Sequence, residues 1–472
     1  MEDFTYPRKD YKENGIRVDR LHHLISKHRN GTAQRLKKNL AYYLAEHNIL
    51  NRSKKDSEAP NNKVVCNHAK DIADTSLGYF LGNAIKYSTS EDKTLKEELD
   101  KLTDFFDIAN MDEIDHDNGL EIIRLGISYE YVYPMEGTND LISKNLNPIN
   151  TFIVYDDTIE QKELFAVYYY KKKNSATDES DYVVTLFDEE NKYSFTLYNN
   201  QKENTDYLKE DGELHHFKEI PIIEYRNNKD AIGDYEQQIP LIDAYNTIQS
   251  DRVNDKEQFL DSLLVVYGAL MGEDDKQVSK ALRFLRQKGV LEMPDATKAE
   301  YITRTFNEEG MEVLRKAIKE DIYTFSHVPN LTDENFVGNS SGVAMEYKLL
   351  GLEMITDTKE RYYTKGLKKR MRLYASYLRL INIEKNPTAI IPSFTRGLPK
   401  NLVEIAQMIS NLDGIVSKET LLNQIPFVED PTKEIEAVKV EKEESSKRQQ
   451  ELFKDDHNTP INKNGLEENE QE

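Results

Sequence analysis

Carboxylates are the most abundant chemistry this chain offers, with 85 Asp and Glu against 63 Lys and Arg and a formal net charge of −22. The densest constellation is DEIDHDNG, residues 112–119. Oxygen ligands this close suit a hard cation such as Ca²⁺, but the register of an EF-hand loop fails. Counted from Asp115, the twelfth position is Gly126 where a bidentate Glu is needed. Counted from Glu113, it is Arg124, and Asn118 stands where the sharp turn needs Gly. A helix start explains these acids better, because carboxylates in a first turn meet the positive end of the helix dipole. Asp156-Asp157 closes a strand-like run and reads as a turn, not an acid/base pair. His22-His23 and His215-His216 are adjacent pairs whose rings diverge, and both read as surface residues. Gly338 and Gly342 lie in a loop without GxxxxGK[ST], after a helix instead of a strand, so no phosphate-cradling loop is present. Catalytic residues: none. Metal site: none. Cofactor: none.

Length and composition narrow the classes further. At about 150 residues per domain, 472 residues suggest about three domains. A mean hydropathy of −0.73 and the acidic balance disfavour tight, static nucleic-acid binding, which needs Lys and Arg on phosphates. They do not exclude DNA passing nearby unheld. Cys66 alone allows no intrachain disulfide. With no run of 18 apolar residues and no signal-like N-terminus, the chain is expected to be made and used in the cytosol, with no membrane partner.

The elements carrying these residues follow from periodicity. The first ~127 residues read as helices: 33–50, a stretch ending in the GYFLG of 78–82, 95–111, and 113–126 stopped by Gly126. From Ser128 to Tyr225 the period becomes two, in YEYVYPM, NTFIVYDD, LFAVYYYKKK, DYVVTLFDEE and KYSFTLYNN, an expected antiparallel meander. A helix then runs from about Glu236 to Val266. Its apolar face (Ile239, Leu241, Ile242, Tyr245, Ile248) lapses over Gln249–Gln258 and returns at Phe259, Leu260, Leu263 and Leu264. A helix packed on its own core keeps a continuous stripe, so this one is expected to meet other chains midway.

A short helix at 274–288 and strands VLEMP and AEYIT follow. The helix 308–325 then aligns Met311, Leu314, Ile318, Ile322 and Phe325, and Pro329 ends it. After the loop TDENFVGNSSG comes a proline-free helix over 343–383, with Gly351 and Gly366 as kink points or close-packing points. Two short helices at 401–412 and 417–423 lead to a tail, residues 429–472, with 14 acidic and 7 basic side chains. That tail is expected to be disordered or at most a solvated helix.

The segment 220–268, with NNKVVCNHAKDIADTSLGYFLGNAIKYS before it and GNSSGVAMEYKLLGLEMITDTKERYYTKGL after it, resembles the portal proteins of tailed phages. The similarity is closest to the portals of long-tailed phages of Gram-positive bacteria, and it extends over roughly residues 10–425, with the motifs in the same order. The resemblance implies an α+β portal-type subunit with a helical/β wing (1–235), a stem helix (236–266), a clip (267–305) and a second stem helix (306–326). It further implies a tunnel loop (327–342), a long kinked helix (343–383) and crown helices (384–428), leaving the acidic tail outside. The implied assembly is a dodecameric homo-oligomeric ring at one capsid vertex, formed in the host cytoplasm. Double-stranded DNA would enter through it, driven by the terminase large subunit, and leave by the same route. Further implied partners are the head-tail adaptor, the major capsid protein and the scaffold.

The residues give these expectations physical sense. The loop 331–342 holds Asp333 and Glu334 but no Lys or Arg. Asn335, Phe336, Val337, Gly338, Asn339 and Ser340 would touch DNA by weak contacts, without the charge-assisted bonds that resist sliding. Lys316 and Lys319 lie within four residues of Glu312, Glu320 and Asp321, so pairing is expected there before DNA contact. Two rival classes are a phage DNA-processing nuclease, which would cleave with a metal, and a monomeric adaptor or scaffold without a channel.

Overall fold

The period-two runs between Ile127 and Arg226 build two sheets instead of one meander. The computed structural model describes residues 4–54, 60–89, 93–138, 140–172, 181–208, 211–259, 263–267, 274–277, 279–280, 298–302, 308–331, 342–380, 390–397, 402–422, 424–425, 428 and 431–455. In the larger sheet, β5 (Thr151–Asp156), β6 (Glu163–Lys171), β7 (Tyr182–Phe187), β8 (Asn191–Leu197) and β9 (Glu213–Leu214) run antiparallel in sequence order. The N-terminal β1 (Thr5–Tyr6) joins the edge parallel to β5. The smaller sheet centres on β3 (Ile127–Pro134), with β10 (Ile222–Arg226) on one side and β4 (Leu141–Leu146) on the other, both antiparallel. YEYVYPM therefore pairs outside the meander. The partner strand β4 reads LISKNL, too polar for an apolar-run criterion.

Helices complete the first of two compact units, Met1–Gly397. They are α1 (Arg8–Asn14), α2 (Val18–Asn30), α3 (Thr32–Tyr43), α4 (His68–Leu81), α5 (Lys93–Ile108), α6 (Met111–Leu125), α7 (Ile239–Phe259), α8 (Glu308–Ser326) and α9 (Gly342–Leu380). Helix α3 stops seven residues short of the expected Leu50. Ala45 turns the chain at φ 65°, and His47 goes inward to stack on Tyr42, ring centroids 4.6 Å apart. Gly126, at φ 86°, ends α6 where expected. The adjacent histidines split: His23 and His216 are exposed, but His22 and His215 are buried, each donating from Nε2 to a backbone carbonyl, of Tyr198 and Asp188 respectively.

The helix after the sheets ends at Phe259, not near Val266. Leu263–Tyr267, LLVVY, forms strand β11 instead, paired antiparallel with β12 (Lys298–Ile302). β-branched and aromatic side chains favour that choice, and a short apolar run cannot declare itself by period alone. The first four residues of AEYIT fall on β12, whereas its threonine, VLEMP, most of 274–288 and the loop residues Asn335–Ser340 lie outside the described residues.

The described residues form three apolar cores. One joins the larger sheet to α2 through Leu21, Ile25, Phe152 and Phe165, and a second seats Leu36 of α3 among Ile127, Ile153 and Ile222. The third gathers α4, α6, α7 and α9 around Phe80, Ile122, Ile242 and Tyr363. After α9 the chain returns to the N-terminal half: β13 (Ile391–Ser393) pairs with β2 (Lys86–Ser88), and the Gly397 amide donates to the Tyr79 carbonyl at 3.0 Å. A Cβ on Gly397 would stand 1.9 Å from the Gly78 carbonyl oxygen, and one on Gly82 would stand 2.2 Å from that oxygen, so both positions need glycine. The second unit, Leu398–Glu472, holds α10 (Leu402–Leu412), α11 (Lys418–Leu422) and α12 (Pro431–Asp455). Where disorder or a solvated helix was expected, α12 is helical, and its described side chains are almost all exposed. Lys and Glu are interleaved along it at i,i+4 spacing, as at Lys439 and Glu443, a pattern that suits a helix that buries little.

Candidate functional site: the paired helices and the long helix behind them

Helices α7 and α8 run antiparallel and are joined along their length by charge. Arg252 meets Glu312 at 3.1 Å and, one turn further on, Lys256 meets Glu308 at 3.3 Å. At the inner end, the Arg315 guanidinium donates to the Tyr245 hydroxyl at 2.8 Å and to Glu312 at 2.9 Å. That hydrogen bond from Arg315 holds the Glu312 carboxyl down to about 2. Beyond the helices the antiparallel pairing continues in the β11–β12 ribbon.

Part of the polar lapse in α7 is accounted for within the chain itself. Asn246, Ser250 and Asn254 are buried within their own chain. They accept, in turn, from the backbone amides of Cys66 (2.8 Å), Val64 (2.9 Å) and Asn62 (2.7 Å). Four residues of helix rise about 6 Å, and two residues of extended chain about 6.6 Å, so a side chain at every i+4 can serve every second amide. Among the described residues the segment 61–67 has no sheet neighbour, and the helix substitutes for one. Only Val253, Lys256 and Glu257 remain exposed among the described side chains of the stretch.

On α8 the expected apolar line divides. Ile322 is buried, Met311 and Ile318 are half-buried, and Leu314 and Phe325 are exposed. Tyr323 donates to Asp71 at 2.6 Å and meets the His68 ring edge-on, as does Tyr245 of α7. His68 therefore sits where α4, α7 and α8 converge, and burial lowers its pKa to about 4.

Helix α9, 39 residues and about 58 Å long, ties the pair's base to both sheets. Gly366 lies against the Tyr225 ring, where a Cβ would come within 2.4 Å of it. Close approach is thus the role of Gly366 in the fold. Gly351 touches His327 at ordinary contact distance, with 3.4 Å from its virtual Cβ to the His327 Cβ. Arg370 is wholly buried, forked onto Glu130 and 2.6 Å from Asp115. Burial pushes the Asp115 carboxyl up and Arg370 pulls it down, while the two acids hold the guanidinium charged. One of the supposed cation ligands of DEIDHDNG is therefore an internal counter-ion. Lys359 is likewise buried on Asp234 and Ser76, and Asn227 donates to the other oxygen of Asp234 at 2.8 Å. Arg396 grips Glu353 and Glu360 at 2.9 Å and Asp357 at 2.8 Å. A signal for this network existed in the sequence: Tyr363, Leu367, Arg370 and Tyr374 share one face, so a cation stands on an apolar stripe and requires an acid.

Among the described residues no group of three or more His, Cys, Asp or Glu side chains is arranged to hold a metal, and no helix is long and apolar enough to cross a membrane. Comparison with known proteins matches residues 22–448 to a family described as phage portal protein, SPP1 Gp6-like. The portal protein of Bacillus phage SPP1 is 24% identical over 447 residues, covering 89% of this chain and 86% of that protein. The portal protein of Clostridium phage phiCD119 is 24% identical over 220 residues, covering 46% of this chain and 47% of its own length.

Proposed function

The chain belongs to the SPP1 Gp6-like family of phage portal proteins, and from that premise we propose how its parts serve the portal role at a capsid vertex. Copies of the chain form a ring, dodecameric in the virion and assembled in the host cytoplasm. Double-stranded DNA passes through the centre, driven inward by the terminase large subunit, so the chain itself needs no catalytic centre. The antiparallel α7–α8 pair, continuing into the β11–β12 ribbon, is the observation that carries a stem-and-clip reading. Terminase and later the head-tail adaptor dock at the clip, while the wing faces the major capsid protein and scaffold. Of residues 384–428, expected as crown, Ile391–Ser393 pairs with Lys86–Ser88 instead, so the crown is assigned to the part that follows residue 397.

The rival nuclease needs converging acids around a metal. Asp115, the most enclosed acid of 112–119, is committed to Arg370 instead. The rival monomeric adaptor leaves the exposed apolar side chains of α8 and α9 without a purpose.

The loop 327–342 is the moving constriction on DNA, and Asn335–Ser340 touch it without cationic anchors. Gly351 is the pivot left to α9 if helix movement follows the loop, since Gly366 is engaged by Tyr225. Introducing Val337→Lys into the phage adds a phosphate anchor at the constriction. Filled heads should fall while rings persist, and undiminished DNA filling contradicts a DNA-proximal loop.

A further inference from the structure

A closed ring of more than two identical copies needs two different faces on each subunit, because a head-to-tail contact joins unlike patches. The described residues contain two such faces. On α9, Tyr347, Leu350 and Met354 recur at i, i+3 and i+7 on one side, and are 75%, 52% and 65% exposed. The opposite side of the same turns carries the buried Leu349, Leu352 and Thr356. On α8, Val313 and Leu314 are exposed 69% and 47%. Val313 stands 14 residues before His327, the α9 contact beside Gly351, or about 21 Å along the helix axis. These are separate patches, not one.

Their surroundings are opposite in charge. The apolar third of α9 gives way to exposed Arg361, Lys365 and Lys368, and its exposed acid Asp357 is held by Arg396. The exposed side of α8 carries Glu309, Glu320 and Asp321 against Lys316. Large apolar side chains on a solvated helix face mark a contact surface, and complementary potentials select which surfaces meet.

We infer that the α9 stripe of one copy packs on the Val313–Leu314 face of α8 in the next copy, forming the seam of the ring. This rests on the portal reading, and it names the two surfaces that the reading leaves open. Because both faces are exposed in the single copy, charged substitutions there leave the subunit fold alone. Only assembly responds.

The test uses three full-length proteins: wild type, Leu350→Glu with Met354→Glu, and Val313→Glu with Leu314→Glu, so that the two altered faces repel each other. Each is examined by native mass spectrometry and negative-stain microscopy, with thermal melts as the fold control. Wild type should form rings, and each variant alone should lose at least nine-tenths of its rings at an unchanged melting temperature. Mixed one to one, the variants should give heterodimers but no rings, since each retains the face that the other lacks. Variants that still form rings, variants that form homodimers, or a mixture without heterodimers would each overturn the seam while leaving the portal reading in place. A wild-type protein that never forms rings overturns the portal reading, and the seam with it.

Discussion

Arg370 of the long helix forks onto Glu130 of β3, Nε to Oε1 at 3.0 Å and Nη2 to Oε2 at 2.6 Å, and neither side chain reaches solvent. Glu130 in turn accepts from the Tyr225 hydroxyl at 2.7 Å and from Ser143 at 2.7 Å. The pair fixes α9 to the smaller sheet at a chosen register, 240 residues apart in sequence. Removing one partner leaves the other charged and dry. Arg370→Ala should therefore cost about 3–5 kcal/mol in urea unfolding. A loss below ~1 kcal/mol would mean that the network is not formed as described.

The two glycines of α9 should respond in opposite senses. Gly366→Ala drives a methyl into the Tyr225 ring and should destabilise by about 1–3 kcal/mol. Gly351→Ala has room beside His327 and removes a helix-interior glycine, so it should be neutral or stabilise by up to ~1 kcal/mol. Thermal melts of the two proteins decide it. Equal losses would contradict the assignment of close packing to Gly366 alone.

Asn254 should matter more than a residue in a solvated stretch. Asn254→Leu leaves the Asn62 amide without its acceptor, a loss of about 1–3 kcal/mol, and should speed hydrogen exchange at Asn62 before Val64 and Cys66. Protection at Asn62 equal to that of the wild type would refute the ladder.

Acid should weaken the core between α2 and the larger sheet through His28. Burial lowers its pKa to about 4 from the ordinary 6.5, and its Nδ1 lies 2.8 Å from the Tyr169 hydroxyl. The unfolded chain binds this proton near pH 6.5 and the folded chain only near 4. Stability is therefore complete above pH 6.5 and falls as pH drops toward 4, by up to ~3 kcal/mol. His68 acts with the same sign. Urea midpoints at pH 7 and pH 5 should separate in the wild type and approach one another in His28→Phe; an unchanged separation would assign the slope elsewhere.

The legible parts of the sequence were those with a local cause. Gly126 stops α6, Pro329 follows the end of α8, and the proline-free run after Gly342 is one helix. Period and punctuation suffice for these. Local pattern misleads where a remote segment supplies the partner. Asn246, Ser250 and Asn254 look solvent-facing because the amides they serve lie some 180 residues earlier. LLVVY looks like returning helix because only pairing with Lys298–Ile302 makes it a strand. Arg370, Asp115 and Glu130 are ordinary charges until the fold buries them together. The motif order from GYFLGN to SSGVAMEYKLL carried the functional reading, because it samples the whole fold at once.

The central claim is that this chain closes on copies of itself around a channel. Negative-stain microscopy of the purified full-length protein measures that directly. The account predicts rings with a central hole wide enough for double-stranded DNA, and a uniformly monomeric field would contradict it.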